Sequence, residues 1–333
     1  MSKESAAAKI TVHNGEDFLT TVCDGLRQRP KNIPPKFFYD ARGSQLFDMI
    51  CDTDEYYPTR TETSILKQFG AQMAELIGES CVLVELGSGS GTKTPLLLKH
   101  LSDDAVYVPI DICEPHLLDS TERLKAMFPT MQMEPLHGDY MHLSATALDK
   151  YEHSRKVIFF PGSTIGNCTP QEATQLLQNA SELVGDDGAM LIGVDSKKSP
   201  EVLNAAYNDA RGHTAEFNLN LLTRLKRELG AQLEPDGFEH YAYYNASQSR
   251  VEMHLVSQRK QSILLDGERF NFEQGETIHT ENSYKYTASE FQQLAGKAGW
   301  HPKMLWSDSN SLFNVHYLSR SASEPPHLPQ QAR

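Results

Sequence analysis

The sequence has no long apolar run, no paired-cysteine pattern and no excess of positive charge. Each absence removes a class of protein. Apolar residues nowhere approach the roughly 18 in succession that a membrane-spanning helix requires, so no membrane partner is expected. The opening stretch MSKESAAAKITVHNGED carries scattered charges and no apolar h-region, which argues against a secretory signal. The five cysteines, Cys23, Cys51, Cys81, Cys113 and Cys168, are odd in number, widely separated and without a C-x-x-C pair. That spacing suits reduced thiols in a cytoplasm better than a disulfide frame or a zinc site, and no metal is expected. Lys and Arg number 31 against 44 Asp and Glu, a net charge of -13. A nucleic acid or an anionic membrane would call for the opposite sign.

What the chain does have is 39 % apolar and 23 % charged residues over 333 positions, enough for one large or two modest cores. Ile65, Leu66, Phe69, Met73, Leu76 and Ile77 recur at helical spacing. A strand-like CVLVEL follows from Cys81, then a glycine-rich turn and TPLLLKHL as a helix start. AVYVPID to Asp111, MQMEPLHGD from Met131, KVIFFPG from Lys156 and AMLIGVD to Asp195 read as further strands, with helices between Pro115 and Phe128 and after Pro170. Such alternation predicts a parallel sheet covered by helices on both faces. Beyond Asp195 the character changes. Glu201 to Leu229 reads as helical throughout, and RVEMHLVSQRKQSILL from Arg250 as antiparallel strands. TASEFQQLAGKAGW opens on a capping box from Thr287 to Glu290 and leads into closing strands around Met304 and Val315 to Leu318.

Two turns at strand ends carry the chemistry. ELGSGSGTKT, Glu85 to Thr94, sets Gly87, Gly89 and Gly91 between a strand and a helix, removing side chains that would hold a ligand off the backbone and offering free N–H groups at the helix start. Asp111 ends the next strand roughly 20 residues on, where a carboxylate can accept both ribose hydroxyls of a nucleoside. Asp139, in HGDY, ends the third and can accept from an adenine amino group. A dinucleotide and S-adenosylmethionine both suit this edge. The turn reads G-x-G-x-G, not G-x-G-x-x-G, and the acidic Glu85 ahead of it suits a cationic ligand better than a pyrophosphate. The methyl donor is therefore favoured, with Lys93 available to its carboxylate. The other turn, VIFFPGSTIGN from Val157 to Asn167, runs four apolar residues straight into Pro, Gly, Ser, Thr and Asn, as a strand does when it opens onto a ligand.

PPKFFYD (Pro34–Asp40), EYYPTRTE (Glu55–Glu62), ELGSGSGTKT, FFPGSTIGN and TENSYKY (Thr280–Tyr286) together resemble the ergothioneine-pathway L-histidine Nα-methyltransferases, in family order over about 300 residues. The resemblance implies an α/β fold with a class I (Rossmann-like) methyltransferase domain, residues 61–196 plus 286–320. It also implies a second α+β substrate-binding domain, residues 9–60 plus 197–285, that closes over histidine, and a disordered tail at 321–333. The implied reaction is trimethylation of the histidine α-amine to hercynine, the first step of ergothioneine biosynthesis, with S-adenosylmethionine as co-substrate. By motif match Gly87, Lys93, Asp111, Asp139 and Tyr140 take donor-binding positions. Tyr56, Asn167, Tyr207, Glu281, Asn282 and Ser283 take histidine-binding positions, and Tyr39, Gly162 and Met253 line the pocket. Tyr39 and Asn167 are the expected catalytic residues. A cytoplasmic monomer with a small-molecule substrate and no nucleic-acid partner is expected.

These residue types suit that chemistry. Asn167 and Tyr207 can donate to a carboxylate, while Glu281 and Ser283, two apart on an extended segment, point the same way and can hold two imidazole nitrogens. Transfer is expected as an in-line displacement by the neutral amine, accelerated mainly by positioning and desolvation. Tyr39 or Tyr56 can accept a hydrogen bond from the amine, but an unperturbed phenol is a poor base near neutral pH, and no general base is assigned. Three positions depart from the family pattern: Asn282 within the last motif, Tyr140 in place of Phe, and the extra Gly91. Other readings stay open: the same fold acting on another amino acid or on a histidine derivative such as a thiolated histidine, a non-catalytic sensor, and an NAD-dependent dehydrogenase, which Glu85 and the turn spacing disfavour.

Overall fold

The computed structural model describes residues 18–143 and 145–322. The opening stretch 1–17, and the expected tail beyond its first two residues, lie outside the described residues. In chain order the strands are β1 (Lys31–Asn32), β2 (Val82–Leu86), β3 (Val106–Asp111), β4 (Gln132–Met133), β5 (Leu136–His137), β6 (Lys156–Phe160) and β7 (Ala189–Asp195). They continue as β8 (Phe238–Asn245), β9 (Arg250–Ser257), β10 (Gln261–Leu265), β11 (Glu268–Phe272), β12 (Thr277–Tyr284), β13 (His301–Ser307) and β14 (Phe313–Ser319).

The larger sheet has the order β13-β14-β7-β6-β2-β3, with β4 and β5 both pairing β3. β7, β6, β2 and β3 run parallel, and β14 is antiparallel to β7. Val82, Val84 and Leu86 pack toward one face and Leu83 toward the other, so this strand is buried on both sides, as a continuous apolar run requires. One face carries the helix Tyr57–Ile77 through Ile65, Leu66, Met73 and Ile77. The other carries the helices Pro170–Val184 and Ala288–Lys297, each opened by a complete capping box, and Trp300 Nε1 donates to the Leu177 carbonyl at 2.8 Å to tie them together. Strand order reverses between β2 and β6, and such a switch point opens a crevice beyond the strands' carboxyl ends. Both turns singled out in the sequence lie there.

The smaller sheet, β1-β12-β9-β8, is built from a parallel edge strand and an antiparallel set, with β10-β11 as a separate hairpin. The helices Phe18–Arg27, Ala41–Cys51 and His213–Leu229 cover it, burying Val22, Leu46, Phe217 and Leu221 in one cluster.

Three elements differ from the sequence pattern. MQMEPLHGD forms two short pairings, because Pro135 between them has no N–H to donate to a ladder. TPLLLKHL holds only one helical turn, Pro95–Leu98. The helix expected from Glu201 to Leu229 is two, Pro200–Ala206 and His213–Leu229. Asp209 makes the break: its carboxylate accepts from the backbone N–H of His213 at 2.9 Å and of Thr214 at 2.7 Å, starting a new helix where the old one would have continued.

Candidate active site

Segments from both sheets meet around a cavity that opens partly to solvent. The N-terminal segment contributes Tyr39, Phe47 and Tyr56, and the turn after β6 contributes Gly162, Ser163, Thr164 and Asn167. Tyr207 enters from the helix break, and Met253, Glu281, Ser283 and Lys285 from β9 and the end of β12. The aromatic groups brace one another edge to face: Tyr39 to Phe217 at 5.7 Å, Phe47 to Tyr56 at 6.1 Å and Tyr56 to Tyr207 at 6.2 Å between centroids.

Every expected histidine-binding residue except Asn282 lines this cavity. Residues directly opposite in an antiparallel pair share a face. Glu281 stands opposite Met253, and both face the cavity, whereas Asn282 stands opposite Glu252 and points to the other side. On that side Glu252, His254 and His279 bring ligand atoms within 4.8 Å of one another, but Arg250 already pairs with Glu252 at 2.7 Å, so a cation there would meet a guanidinium. Tyr207, expected within a helix, is the cap residue where the first helix ends, which frees it to turn inward.

Burial pushes the Glu281 carboxyl up to about 7, with the Lys285 ammonium partly offsetting this. Burial also raises the Tyr39 and Tyr56 phenols well above the ordinary value, and the Glu281 charge adds to both. Both therefore keep their protons at neutral pH, which leaves them as hydrogen-bonding groups and not as bases.

The cavity wall itself carries a charged network. Lys285, almost fully buried, donates to Ser283 Oγ at 2.7 Å and to Tyr207 OH at 3.1 Å, and pairs with Asp195 Oδ2 at 2.7 Å. The Tyr207 hydroxyl donates to Ser283 Oγ at 2.7 Å. Asp195 also accepts from Lys198 at 2.6 Å and from the Tyr57 hydroxyl at 2.7 Å. Burial alone would push the Asp195 carboxyl up, but the two lysines hold it below its ordinary value. Burial lowers both lysines; the Asp195 charge more than reverses this at Lys285, whereas Lys198 stays depressed at about 8.

The turn after β6 is held from three directions. Ser163 adopts φ 58°, rare for a residue with a side chain, and its Oγ accepts the Asp195 N–H at 2.9 Å. Gly162, at φ 83°, donates its N–H to Glu62 Oε2 at 2.8 Å. Gly166 has no left-handed torsion; a Cβ there would stand 2.9 Å from the Tyr284 carbonyl oxygen, so glycine is needed to seat the turn on β12. Asn167 is thereby placed at the cavity edge.

The edge expected to hold the donor lies at the ends of β2 and β3. Gly87, Gly89 and Gly91 all have positive φ. The turn's own N–H groups are taken: Gly87 and Ser88 donate to the Ile110 carbonyl, Gly89 to Asp111 Oδ2 at 2.8 Å, and Gly91 to the Ser88 carbonyl. With these four N–H groups taken, the turn offers fewer backbone donors to a pyrophosphate, which favours a donor without phosphate. Asp111 also accepts from Cys113 N–H at 2.9 Å, and Asp139 accepts from Met141 N–H at 2.9 Å with Lys36 at 3.5 Å. The Tyr140 ring packs on Phe160 at 5.5 Å and stands where a side chain at position 87 would meet it. Ser88 Oγ is buried with no partner among the described residues, a polar group left for a ligand. These residues fit the expected methyl donor.

Two expectations at this edge are corrected. Glu85 does not face a cationic ligand: it is buried among Thr94 and Tyr107, whose hydroxyls donate to it at 2.8 and 2.5 Å, and burial pushes it up to about 7. Lys93 is paired with Glu62 at 2.6 Å, not held ready for a ligand carboxylate. Glu62, Asp195, Lys285 and Phe217 escaped the sequence reading. Lys285 alone had a usable signal, two residues beyond Ser283 on an extended segment and hence on its face; a glutamate within a helix, such as Glu62, reads as solvent-facing.

The profile of the family described as "Histidine-specific methyltransferase, SAM-dependent" matches residues 18–320. The chain is 37 % identical over 303 residues to a protein of Mycolicibacterium smegmatis called histidine N-alpha-methyltransferase, covering 89 % of this chain and 92 % of that one. It is 30 % identical to ergothioneine biosynthesis protein 1 of Neurospora crassa, covering 88 % of this chain and 33 % of that longer one. It is also 27 % identical to 4-dimethylallyltryptophan N-methyltransferase easF of Claviceps purpurea, across 89 % of this chain and 93 % of that one. With the match running from the first described helix to the last strand, the chain belongs to the histidine-specific, S-adenosylmethionine-dependent methyltransferase family.

Proposed function

We propose that this protein trimethylates the α-amine of L-histidine with S-adenosylmethionine, giving hercynine in ergothioneine biosynthesis. The observation that carries the reading is Glu281 beside Ser283 on one strand face of a cavity that five aromatic rings, Tyr39, Phe47, Tyr56, Tyr207 and Phe217, help to line. A buried carboxylate and hydroxyl are costly without partners, and an imidazole supplies both. Asn167 binds the substrate carboxylate, Tyr207 lines the site and holds Ser283 through its hydroxyl, and Tyr39 and Tyr56 orient the amine. Gly87, Asp111, Asp139 and Tyr140 hold the donor, which when bound supplies an electrophilic methyl group; Lys93 acts one step removed, through Glu62. The protein excludes water and aligns the free-base amine, since the two phenols assigned to the amine, Tyr39 and Tyr56, keep their protons at neutral pH. Residues 61–196 plus 286–320 form the donor-binding domain, and residues 9–60 plus 197–285 the histidine-binding domain. A cytoplasmic monomer is consistent with five free cysteines and with a cavity built from one chain. Among the described residues no helix is long and apolar enough to cross a membrane.

A second reading keeps the fold and changes the amino acid, and the Claviceps relative named for a prenylated tryptophan supports it. Mass spectrometry of a reaction containing the donor and all twenty amino acids decides between them. A gain of three methyl groups on histidine is expected; preferential methylation of any other amino acid overturns the proposal.

A further inference from the structure

We propose that Lys285 is a positioning residue that fixes the Ser283 hydroxyl as a proton donor into the cavity, so that the site accepts the neutral imidazole of its substrate and rejects the protonated ring. This rests on the histidine reading above.

A serine hydroxyl has one proton and two lone pairs, and a lysine ammonium only donates. Lys285 Nζ occupies one Ser283 lone pair at 2.7 Å. The Tyr207 hydroxyl, also 2.7 Å away, occupies the other, since a phenol is the more acidic of the two hydroxyls and donates to the alkyl one. The Ser283 proton then has nowhere to go but the cavity. Reversing the Tyr207–Ser283 bond would leave the spare proton on Tyr207 and one free lone pair on Ser283, so the greater acidity of the phenol decides the outcome. With Tyr207 as the donor, Ser283 itself offers a ligand a proton and no lone pair.

Lys285 is held charged for this task by Asp195 at 2.7 Å, which in turn is held by Lys198 and Tyr57. Glu281, on the same strand face, supplies the opposite half of the code, an acceptor. Neutral imidazole has one N–H and one bare nitrogen, which match Glu281 and Ser283. Imidazolium has two N–H groups, one of which would meet a hydroxyl proton backed by an ammonium. Tyr39 and Tyr56, also facing the cavity, are neutral phenols and do not alter this balance, whereas the Glu281 carboxyl itself takes a proton at about 7 and is an acceptor only above that.

The test is a double-mutant cycle on histidine KM and kcat with Lys285→Met, Ser283→Ala and the double variant, run at about pH 8 and about pH 6, either side of the ordinary imidazole value of about 6.5. Bound S-adenosylhomocysteine and far-ultraviolet circular dichroism certify that each variant is folded. At the higher pH, Lys285→Met is expected to raise KM roughly tenfold with kcat nearly unchanged, and the double variant to be no worse than Ser283→Ala. Because Glu281 takes a proton over the same interval, the pH comparison is made in a Glu281→Gln background, which keeps an acceptor oxygen; there KM rises on acidification with Lys285 present and much less with Lys285→Met, and titration of the substrate amine is common to both and cancels. Effects that multiply in the double variant, or an equal pH response in both proteins, overturn the proposal. Where Lys285→Met fails to fold, Lys285→Gln, which keeps an N–H donor, is expected to hold KM within about threefold of wild type; a folded Lys285→Gln with KM raised tenfold or more also overturns it. A wild type that does not methylate histidine defeats the functional reading and this inference together, whereas a wild type that does, with an additive cycle, defeats this inference alone.

Discussion

Lys93 and Glu62 form an ion pair of 2.6 Å, and the same Glu62 carboxylate takes the Gly162 N–H at 2.8 Å. One buried side chain on the helix Tyr57–Ile77 thus ties the glycine-rich turn to the turn that presents Asn167. Glu62→Ala strands a mostly buried ammonium and a backbone donor together. It is expected to lower stability by about 3 kcal/mol, read as a fall in the urea midpoint; a loss below about 1 kcal/mol would show that the two turns hold each other without it.

Asn167 lines the cavity from a turn held by Glu62, Ser163 and Gly166, so its own removal should leave that turn in place. Asn167→Ala is expected to weaken histidine binding at least tenfold, by loss of a hydrogen bond to a charged carboxylate, with S-adenosylhomocysteine affinity within about twofold. Calorimetric titration of each ligand separates the two, and unchanged histidine affinity would remove Asn167 from the substrate site.

Asp111 holds Gly89 N–H and Cys113 N–H, one on each carboxylate oxygen. Asp111→Ala should therefore loosen the donor edge as well as delete an acceptor for ribose. S-adenosylhomocysteine affinity is expected to fall more than tenfold, and retained affinity would place the nucleoside elsewhere.

Glu281 gives a pH signature. Its folded value of about 7 exceeds the ordinary 4.5, so the folded chain binds a proton over that interval which the unfolded chain has released. The stability linked to this group is complete below about 4.5 and is lost as pH rises through about 7. Glu281→Gln, neutral at all pH, should accordingly be more stable than wild type above pH 7 by on the order of 3 kcal/mol, with the difference vanishing near pH 4. Melting curves without ligand at both pH values check this, and a difference of the same size at each would assign it to packing instead of charge.

Much of the larger sheet is legible along the chain, because strands buried on both faces read as short apolar runs and their helices carry capping boxes at Thr169 and Thr287. The reading fails where side chains overrule propensity. Asp209 caps a helix in the middle of a helical pattern, and Pro135 divides a strand. At the site, strand alternation by itself puts Glu281 and Ser283 on one face and Asn282 on the other, and motif likeness misassigned only the last of these to the cavity.

The sequence by itself determined the order of strands and helices, the glycines that permit positive φ at the turn after β2, and the residue types that line the cavity. These follow from periodicity and from the torsions a glycine allows, both local properties of the chain. Only the tertiary structure decided where the charges go: Glu62 to Lys93 and Gly162, Glu85 to Thr94 and Tyr107, and Asp195 to Lys198 and Lys285. A buried charge takes whichever partner the packing brings near it, and residues 31 or 100 positions apart, as Glu62 is from Lys93 and Gly162, become neighbours only when helix and sheet have closed over one another.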